Sequence, residues 1–269
     1  MTRDEDQADP RTTREDDRAD PRTTREDERA DPRMTREEEL RGNVEQARQR
    51  IRAACAAAGR PEDSVTLVAI TKTFPIEDVR TLAALGVADA GENREQELKV
   101  KAPDAPELTW HFVGQLQSNK ARSVVRLAQV VHSVDRLSLV GALSKAAVAE
   151  EKTVRCLLQV SLASYGPEGA ETGTNRGGVA PGDVPDLAAA VAEADGLELG
   201  GVMAVAPLGS DPDEAFAALH AVSSRLRSEH AGADWISAGM TGDLEAAIRQ
   251  GATHVRLGRA LLGTRPPLG

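Results

Sequence analysis

The chain has 269 residues, a length that fits one large domain or two small ones. Hydrophobic residues make up 40% of the chain and aromatic residues only 2%, so we expect a core of Ala, Val, Leu and Ile. The formal net charge of −10 argues against a general affinity for nucleic acid, whose phosphates would repel the protein.

A charged repeat precedes the first apolar pattern. Similar units of 11 residues begin at Thr2, Thr13, Thr24 and Thr35, and each of the first three contains a proline. Proline breaks helices, and charged segments poor in apolar residues stay disordered. We therefore expect a disordered tail over 1–33 and a folded domain over 34–269. Translation that starts at Met34 and a role as a charged docking arm are both left open for this tail.

The domain begins with a helix and then alternates between two patterns. Residues 35–59 place one apolar face on a helix, formed by Leu40, Val44, Ala47, Ile51, Ala54 and Cys55, and Gly59 ends it. Eight candidate strands follow, at Thr66–Thr71, Val87–Ala90, Trp110–Gly114, Val130–Val134, Val154–Ser161, Leu197–Val205, Trp235–Ser237 and His254–Leu257. Helical patterns lie between them near 76–85, 93–101, 117–128, 136–149, 183–193, 212–229 and 241–250, and a short helix follows Gly258.

This alternation predicts a parallel α/β sheet. Eight strand–helix units indicate closure into a single (β/α)8 barrel, a fold of about 250 residues. An open doubly wound sheet is the alternative, and the lack of a GxGxxG motif after the first strand weakens it.

Cysteine usage and hydropathy predict the compartment. Cys55 and Cys156 lie far apart without metal-ligand spacing, so we expect two buried, reduced thiols. No apolar run reaches the roughly 18 residues of a membrane span, and the N-terminus has no apolar signal segment. We therefore expect a cytoplasmic protein without membrane association.

In this barrel class the functional site lies at the carboxyl ends of the strands. Lys72 follows the first strand directly, where partial desolvation would free its amine to attack a carbonyl and form a Schiff base. Asn93 follows the second strand and could either bind a ligand or cap the next helix. His111 alternates with apolar residues in the third strand, so it could face inward as a core residue.

The loops after the seventh and eighth strands are candidates for a phosphate site. Backbone N–H groups at helix starts bind anions, and barrels often build phosphate sites from these two loops. Ser237 and Thr241 can add hydroxyl donors and Arg256 a guanidinium. Together with Lys72, this site describes a ligand with an aldehyde and a phosphate, such as pyridoxal phosphate or a sugar phosphate. The long loop after the fifth strand, with Tyr165 and residues 173–178, could be a lid or simply flexible.

Several ordered stretches resemble the YggS/PROSC-type pyridoxal phosphate homeostasis proteins. They are LVAITKT (67–73), GEN (91–93), WHFVGQLQSNK (110–120), HSVD (132–135), GVMA (201–204), SAGMT (237–241) and VRLG (255–258). The resemblance covers about residues 35–265 and leaves the charged repeat outside. Arg176 stands where this family commonly has a lysine.

The resemblance implies a barrel similar to the N-terminal domain of alanine racemase, with pyridoxal 5′-phosphate held as a Schiff base on Lys72. It places Asn93 near the ring, and it surrounds the phosphate and ring nitrogen with Ser237, Gly239, Met240, Thr241, Arg256 and Gly258. An arginine near the ring nitrogen suits storage or delivery better than carbanion chemistry.

We therefore expect a monomeric, non-catalytic carrier without metal that passes its cofactor to apo-enzymes. Two enzyme functions are alternatives. An amino-acid racemase would add a second domain and a partner's tyrosine, and Tyr165 is the one tyrosine of the chain. A Schiff-base aldolase would need an acid–base group near Lys72, and no candidate is obvious on the neighbouring strands.

Overall fold

Eight parallel strands close into a barrel in the computed structural model, which describes residues 34–166 and 177–264. The strands are β1 Thr66–Ile70, β2 Asp89–Glu92, β3 Thr109–Phe112, β4 Val130–Val134, β5 Val154–Gln159, β6 Leu197–Met203, β7 Trp235–Ser237 and β8 His254–Leu257. The helices are α1 Arg36–Ala57, α2 Ile76–Ala84, α3 Glu95–Lys101, α4 Ala121–Val125, α5 Leu137–Ala149, α6 Val184–Ala192, α7 Pro212–Glu229, α8 Leu244–Arg249 and α9 Arg259–Leu262. Short 3-10 turns occupy Ala102–Asp104, Ser118–Lys120, Ala163–Tyr165 and Pro181–Asp183.

Pairing between the first and last strands closes the barrel. β1 runs parallel to β8, with Thr66 opposite His254 and Ala69 opposite Leu257. Every strand pairs with its neighbours in sequence order, as expected when each crossover is a helix that packs outside the sheet. The predicted (β/α)8 barrel is therefore confirmed, and the open doubly wound sheet is wrong.

Helix α1 precedes the barrel and covers one side of it. The Thr35 hydroxyl accepts from Glu38 N–H at 3.2 Å, and Thr35 N–H donates to the Glu38 carboxylate at 2.8 Å, which together form a capping box. The six buried residues of the helix are those of the predicted apolar face. The Asn43 amide also donates to Leu261 O at 2.9 Å, which fixes α1 to α9.

Three of the predicted elements differ from the structure for local reasons, and several strands end one or two residues earlier than predicted. β2 begins at Asp89 rather than Val87, because Val87 N–H still caps the end of α2 at Leu82 O. The helix predicted over 117–128 is divided into a 3-10 turn and the short α4. Helix α8 begins at Leu244 rather than at 241, because residues 240–243 form a turn in which Met240 N–H donates to the Asp243 carboxylate.

The barrel has an apolar outer layer and a lumen that contains buried polar side chains. Ala69 belongs to the buried cluster that includes Leu40 and Val44 of α1, so this face of β1 packs outward. The imidazole of His132 on β4 reaches the Ser237 hydroxyl on β7, which is not a neighbouring strand, so these side chains cross the lumen. The apolar layer carries the hydrophobic stabilisation, and the lumen carries buried polar groups that need partners.

Both cysteines are buried and unpaired, as predicted, and burial raises the pKa of the Cys156 thiol to about 12. Among the described residues, no helix is long and apolar enough to cross a membrane. The charged repeat of 1–33 and the loop residues Gly173–Arg176 lie outside the described residues.

Candidate functional site

Lys72 lies at the lip of the barrel, two residues beyond the end of β1. It is half-buried and engaged in an interaction, whereas Thr71 before it is fully buried. Thr73 after it adopts φ +69°, a conformation that non-glycine residues rarely take, and its N–H donates to the Glu97 carboxylate at 2.6 Å. This hydrogen bond holds the turn that carries Lys72.

A buried ion-pair cluster supports that turn from the outside of the barrel. Lys101 on α3 donates to Glu92 Oε1 at 2.7 Å, to Glu97 Oε2 at 3.1 Å and to Thr71 O at 2.8 Å. Thr71 also donates its hydroxyl to Glu92 at 2.6 Å. Burial raises the pKa of Glu92, and the charge of Lys101 opposes that rise. We call Lys101, Glu92, Glu97 and Thr71 the α3 cluster.

The α3 cluster was not predicted from the sequence. The i, i+4 spacing of Glu97 and Lys101 was visible in the sequence, but it is equally typical of an exposed helix face. What makes the pair structural is the second carboxylate, Glu92, from the end of β2. That pairing depends on how α3 packs over the strand.

Asn93 follows β2, next to the end of β3. A side chain at Gly114 would clash with the Asn93 carbonyl, so glycine is required there for the two strand ends to approach. The N-cap residue of α3 is Arg94, and its side chain makes no capping bond, so the alternative interpretation of Asn93 as a cap is wrong. Asn93 instead lines a cavity of about 510 Å³ together with Phe112, Gln115 and other residues.

Arg256 and Ser237 meet inside the lumen. The Arg256 guanidinium donates to Ser237 Oγ at 2.7 Å and to Ala204 O at 2.9 Å. Both partners are uncharged, and Arg256 has no carboxylate in ion-pair contact within the described residues. Burial lowers the pKa of Arg256 to about 10, which still leaves it protonated at neutral pH. A buried positive charge with neutral partners and spare N–H groups is suited to an acceptor on a ligand.

The loop after β7 contacts β8, and the loop after β8 contacts β1. Gly239 has φ +90°, and a Cβ there would lie 2.6 Å from the Ala247 Cβ, so glycine is needed for this turn. Its carbonyl accepts from Arg256 N–H at 3.0 Å, which joins the two loops. A Cβ at Gly258 would lie 3.3 Å from Ile70 O, so this glycine packs against the strand that leads to Lys72.

Met240 and Thr241 complete the loop after β7 on its exposed side. Met240 is 39% exposed, and its N–H is taken by the Asp243 carboxylate. Thr241 is exposed, and its carbonyl accepts from Arg50 of α1 at 3.1 Å. Gly258 opens the short helix α9, whose first N–H groups have no partner within the helix. The predicted phosphate loops are thus adjacent and connected to α1.

Two lumen histidines, missed as site residues, continue from Ser237. His132 Nδ1 lies 3.0 Å from Ser237 Oγ, and His132 Nε2 lies 2.8 Å from His111 Nδ1. His111 Nε2 lies 2.9 Å from Asp89 Oδ1. Burial and the nearby positive groups lower the pKa of His132 well below its usual value. His111 therefore faces inward, as the alternation in β3 predicted, and it is a satisfied core residue.

The arrangement gathers an amine, a buried guanidinium and two glycine loops at one end of a barrel. No group of three or more His, Cys, Asp or Glu residues that could hold a metal ion occurs in the described parts of the chain. These features make the carboxyl ends of the strands the candidate ligand site.

Comparisons with known proteins identify the class and then the family. A family model of the alanine racemase N-terminal domain matches residues 38–266. The pyridoxal phosphate homeostasis protein of Mycobacterium tuberculosis H37Rv is 42% identical over 245 residues, which cover 84% of this chain and 93% of that protein. The protein of the same name from Pseudomonas aeruginosa is 41% identical and covers 83% and 94%.

A solved structure is also similar to this chain over most of its length. PipY of Synechococcus elongatus PCC7942, solved with pyridoxal phosphate bound, superposes with a TM-score of 0.69 at 29% identity, over 83% of this chain and 100% of PipY. The chain belongs to the alanine racemase N-terminal domain family and, within it, to the group of pyridoxal phosphate homeostasis proteins.

Proposed function

We propose that this protein binds pyridoxal 5′-phosphate and acts in the homeostasis of that cofactor, by storing or delivering it. The observation that carries the proposal is the buried Arg256, whose charge has no carboxylate partner in the described residues, on the strand next to that of Lys72. The names of the relatives and the ligand of PipY support it.

The residues present fit this cofactor. When bound, pyridoxal phosphate supplies an aldehyde carbon for a covalent bond and an electron-withdrawing pyridine ring. Lys72 at the barrel lip offers the amine for that bond. Gly239 and Gly258 let the two loops pack closely against Ala247 and Ile70, and we assign them, with Met240 and Thr241, to the phosphate and the ring edge. We place Asn93 beside the ring, at the end of the neighbouring strand.

Arg256 determines the chemistry. A guanidinium only donates hydrogen bonds, so a pyridine nitrogen that contacts it must stay unprotonated and accept. Arg256 would thus hold the ring in its weaker electron-withdrawing form, which disfavours abstraction of a substrate proton. Ser237 holds the guanidinium through its hydroxyl. We therefore propose a carrier without appreciable racemase activity, cytoplasmic and monomeric, with apo-enzymes as the recipients of its cofactor.

The test uses the full chain with added pyridoxal phosphate, freed of excess cofactor and treated with borohydride. The wild type should gain a visible absorbance band that borohydride removes, and peptide mass mapping should place the reduced adduct on Lys72. Lys72→Ala should lose both signals. Lys120→Ala, a lysine on the same rim that lines the cavity beside Asn93, is the matched control and should keep them.

Two outcomes would overturn the proposal. A wild type that gains no band at any cofactor concentration does not hold pyridoxal phosphate in this way. An adduct that maps to another lysine removes Lys72 from its role. Alanine racemization, measured on the loaded wild type beside a known racemase, should stay at the level of free cofactor, and turnover well above that level contradicts the carrier function.

A further inference from the structure

A continuous run of hydrogen bonds crosses the lumen from Arg256 to the opposite side of the barrel. The steps are Arg256–Ser237 at 2.7 Å, Ser237–His132 at 3.0 Å, His132–His111 at 2.8 Å and His111–Asp89 at 2.9 Å. We call these five residues the lumen chain. It draws on β2, β3, β4, β7 and β8, so no local motif produces it.

The donors and acceptors available at each atom fix the direction in which hydrogen bonds are donated along the lumen chain. Arg256 can only donate, so Ser237 Oγ accepts from it and directs its own hydrogen to His132 Nδ1. His132 must then carry its proton on Nε2 and donate to His111 Nδ1. His111 in turn carries its proton on Nε2 and donates to the Asp89 carboxylate. In this one arrangement every hydrogen on the path has an acceptor.

We infer that His132 and His111 are positioning residues for the cofactor: as neutral Nε2–H tautomers they keep Ser237 an acceptor and thereby fix the guanidinium of Arg256. This inference rests on the proposed function, because the fixed guanidinium matters for a ring nitrogen. It deepens that function by naming residues that never touch the cofactor yet determine how tightly it is held.

Burial supports the neutral state of the chain. His111, His132 and Ser237 are fully buried, so an extra charge there would be costly. The charged and titratable groups that face the two imidazoles are Asp89 from β2 and His254 and Arg256 from β8. A proton added at His132 Nδ1 would point a donor at Ser237 Oγ, which would leave the Ser237 hydrogen without its acceptor.

The far end of the lumen chain reaches solvent. The Asp89 side chain is 19% exposed and lines a second cavity, of about 410 Å³, with residues of α1 and of the α1–β1 connection. The chain therefore joins that cavity to the guanidinium. A merely structural network would only need its polar groups satisfied, whereas a positioning network must also influence cofactor binding.

The first experiment needs no cofactor and no variant. Nitrogen-15 NMR of the histidines in the full-length protein reports which ring nitrogen of each imidazole carries a proton. We expect His111 and His132 to be neutral, with Nε2 protonated and Nδ1 accepting. A proton on His132 Nδ1 reverses the direction of the chain and overturns the inference.

The second experiment measures the dissociation constant of pyridoxal phosphate. His132→Phe should weaken binding about 10-fold, the effect of one hydrogen bond in a path to a charged group. It should also broaden the Arg256 Nε–H signal in NMR spectra of the cofactor-free protein, because the guanidinium is no longer held. The control is Ser133→Ala on the same strand, which removes a buried hydroxyl without a partner and should leave both readouts unchanged.

A conservative variant separates positioning from packing. His132→Gln presents an amide that can accept from Ser237 and donate to His111, so it should recover most of the affinity that phenylalanine loses. If His132→Phe does not fold, the histidine tautomers of the wild type and the cofactor affinity of His132→Gln still test the inference. Wild type that fails to bind pyridoxal phosphate overturns the proposed function and this inference together. If the wild type and His132→Phe bind pyridoxal phosphate equally tightly, this inference alone is overturned.

Discussion

Two buried cations, Lys101 and Arg256, are compensated in opposite ways. Lys101 is the last residue of α3, outside the barrel, and contacts two carboxylates, Glu92 and Glu97. Arg256 lies in the lumen, and its hydrogen-bond partners among the described residues are a hydroxyl and a carbonyl. The first cation is neutralised by its own chain, so it serves the fold. The second retains its charge, which costs stability and leaves an interaction for a ligand to complete.

The two cations therefore have different roles, one in the fold and one at the ligand site. A buried charge that is paired and hydrogen-bonded is satisfied by the structure around it. A buried charge with neutral partners, at the end of the barrel where ligands bind, can form a favourable interaction with a ligand. Two variants test this division and two more test other buried polar groups, from the largest expected effect to the smallest.

Lys101→Met should cost the most stability. It leaves Glu92 buried without its cation, and removal of one partner of a buried ion pair costs about 3–5 kcal/mol. Urea unfolding at neutral pH gives the free energy of unfolding. The double variant Lys101→Met with Glu92→Leu should regain most of the loss, because no charge is stranded. A loss below about 1 kcal/mol in the single variant would show that the pair is not structural.

Arg256→Met should lose little stability but much cofactor affinity. The free energy of unfolding should fall by less than in Lys101→Met, because an unpaired charge leaves the lumen along with its two hydrogen bonds. The dissociation constant of pyridoxal phosphate should rise at least about 10-fold, because a hydrogen bond to a charged group is lost. Arg227→Met, on the exposed face of α7, is the control. Unchanged affinity in the Arg256 variant would show that this residue does not contribute to cofactor binding.

His254 should contribute to acid sensitivity. Burial lowers its folded-state pKa from 6.5 to about 3, so between those values the unfolded chain binds a proton that the folded chain does not. Stability is therefore lost as the pH falls below 6.5, by at most about 1.4 kcal/mol per pH unit. His254→Gln should reduce that slope in urea unfolding between pH 6 and pH 4. Equal slopes for both proteins would place the imidazole in solvent.

Ser223→Ala should have the smallest effect. The hydroxyl of this α7 residue is buried and has no partner in the described structure, so its removal relieves an unsatisfied group. The free energy of unfolding should change by less than about 1 kcal/mol, and in the stabilising direction. A larger loss in thermal or urea unfolding would indicate a hydrogen bond through a water molecule.

The barrel was predictable because each unit repeats the same local signals. β4, β7 and β8 have the bounds that their apolar runs predict. The end of β2 was predicted at Ala90 rather than Glu92 because Glu92 is acidic, and its charge is compensated by Lys101 from another element, α3. A local pattern cannot anticipate a charge that is neutralised from a distance.

The candidate site was predictable only in part. Lys72 and the glycines follow strand ends, so position alone indicates them. The lumen chain was not predictable, because its partners lie as far apart as His132 and Ser237, 105 residues away in sequence. Which lumen residues meet depends on the barrel's register, and that register follows from all eight strands together.

The stacking of Trp235 gives the lumen an optical probe of its own. Its ring lies 3.9 Å from that of His254 and 4.4 Å from the Arg155 guanidinium, whereas Trp110, the other tryptophan, is buried with its indole N–H bonded to Ala105 O. A protonated imidazole quenches indole fluorescence, and His254 stays neutral near physiological pH. Protonation of His254 should therefore not quench Trp235 between pH 6 and pH 8, so a loss of emission on addition of pyridoxal phosphate in that range has another cause than this imidazole.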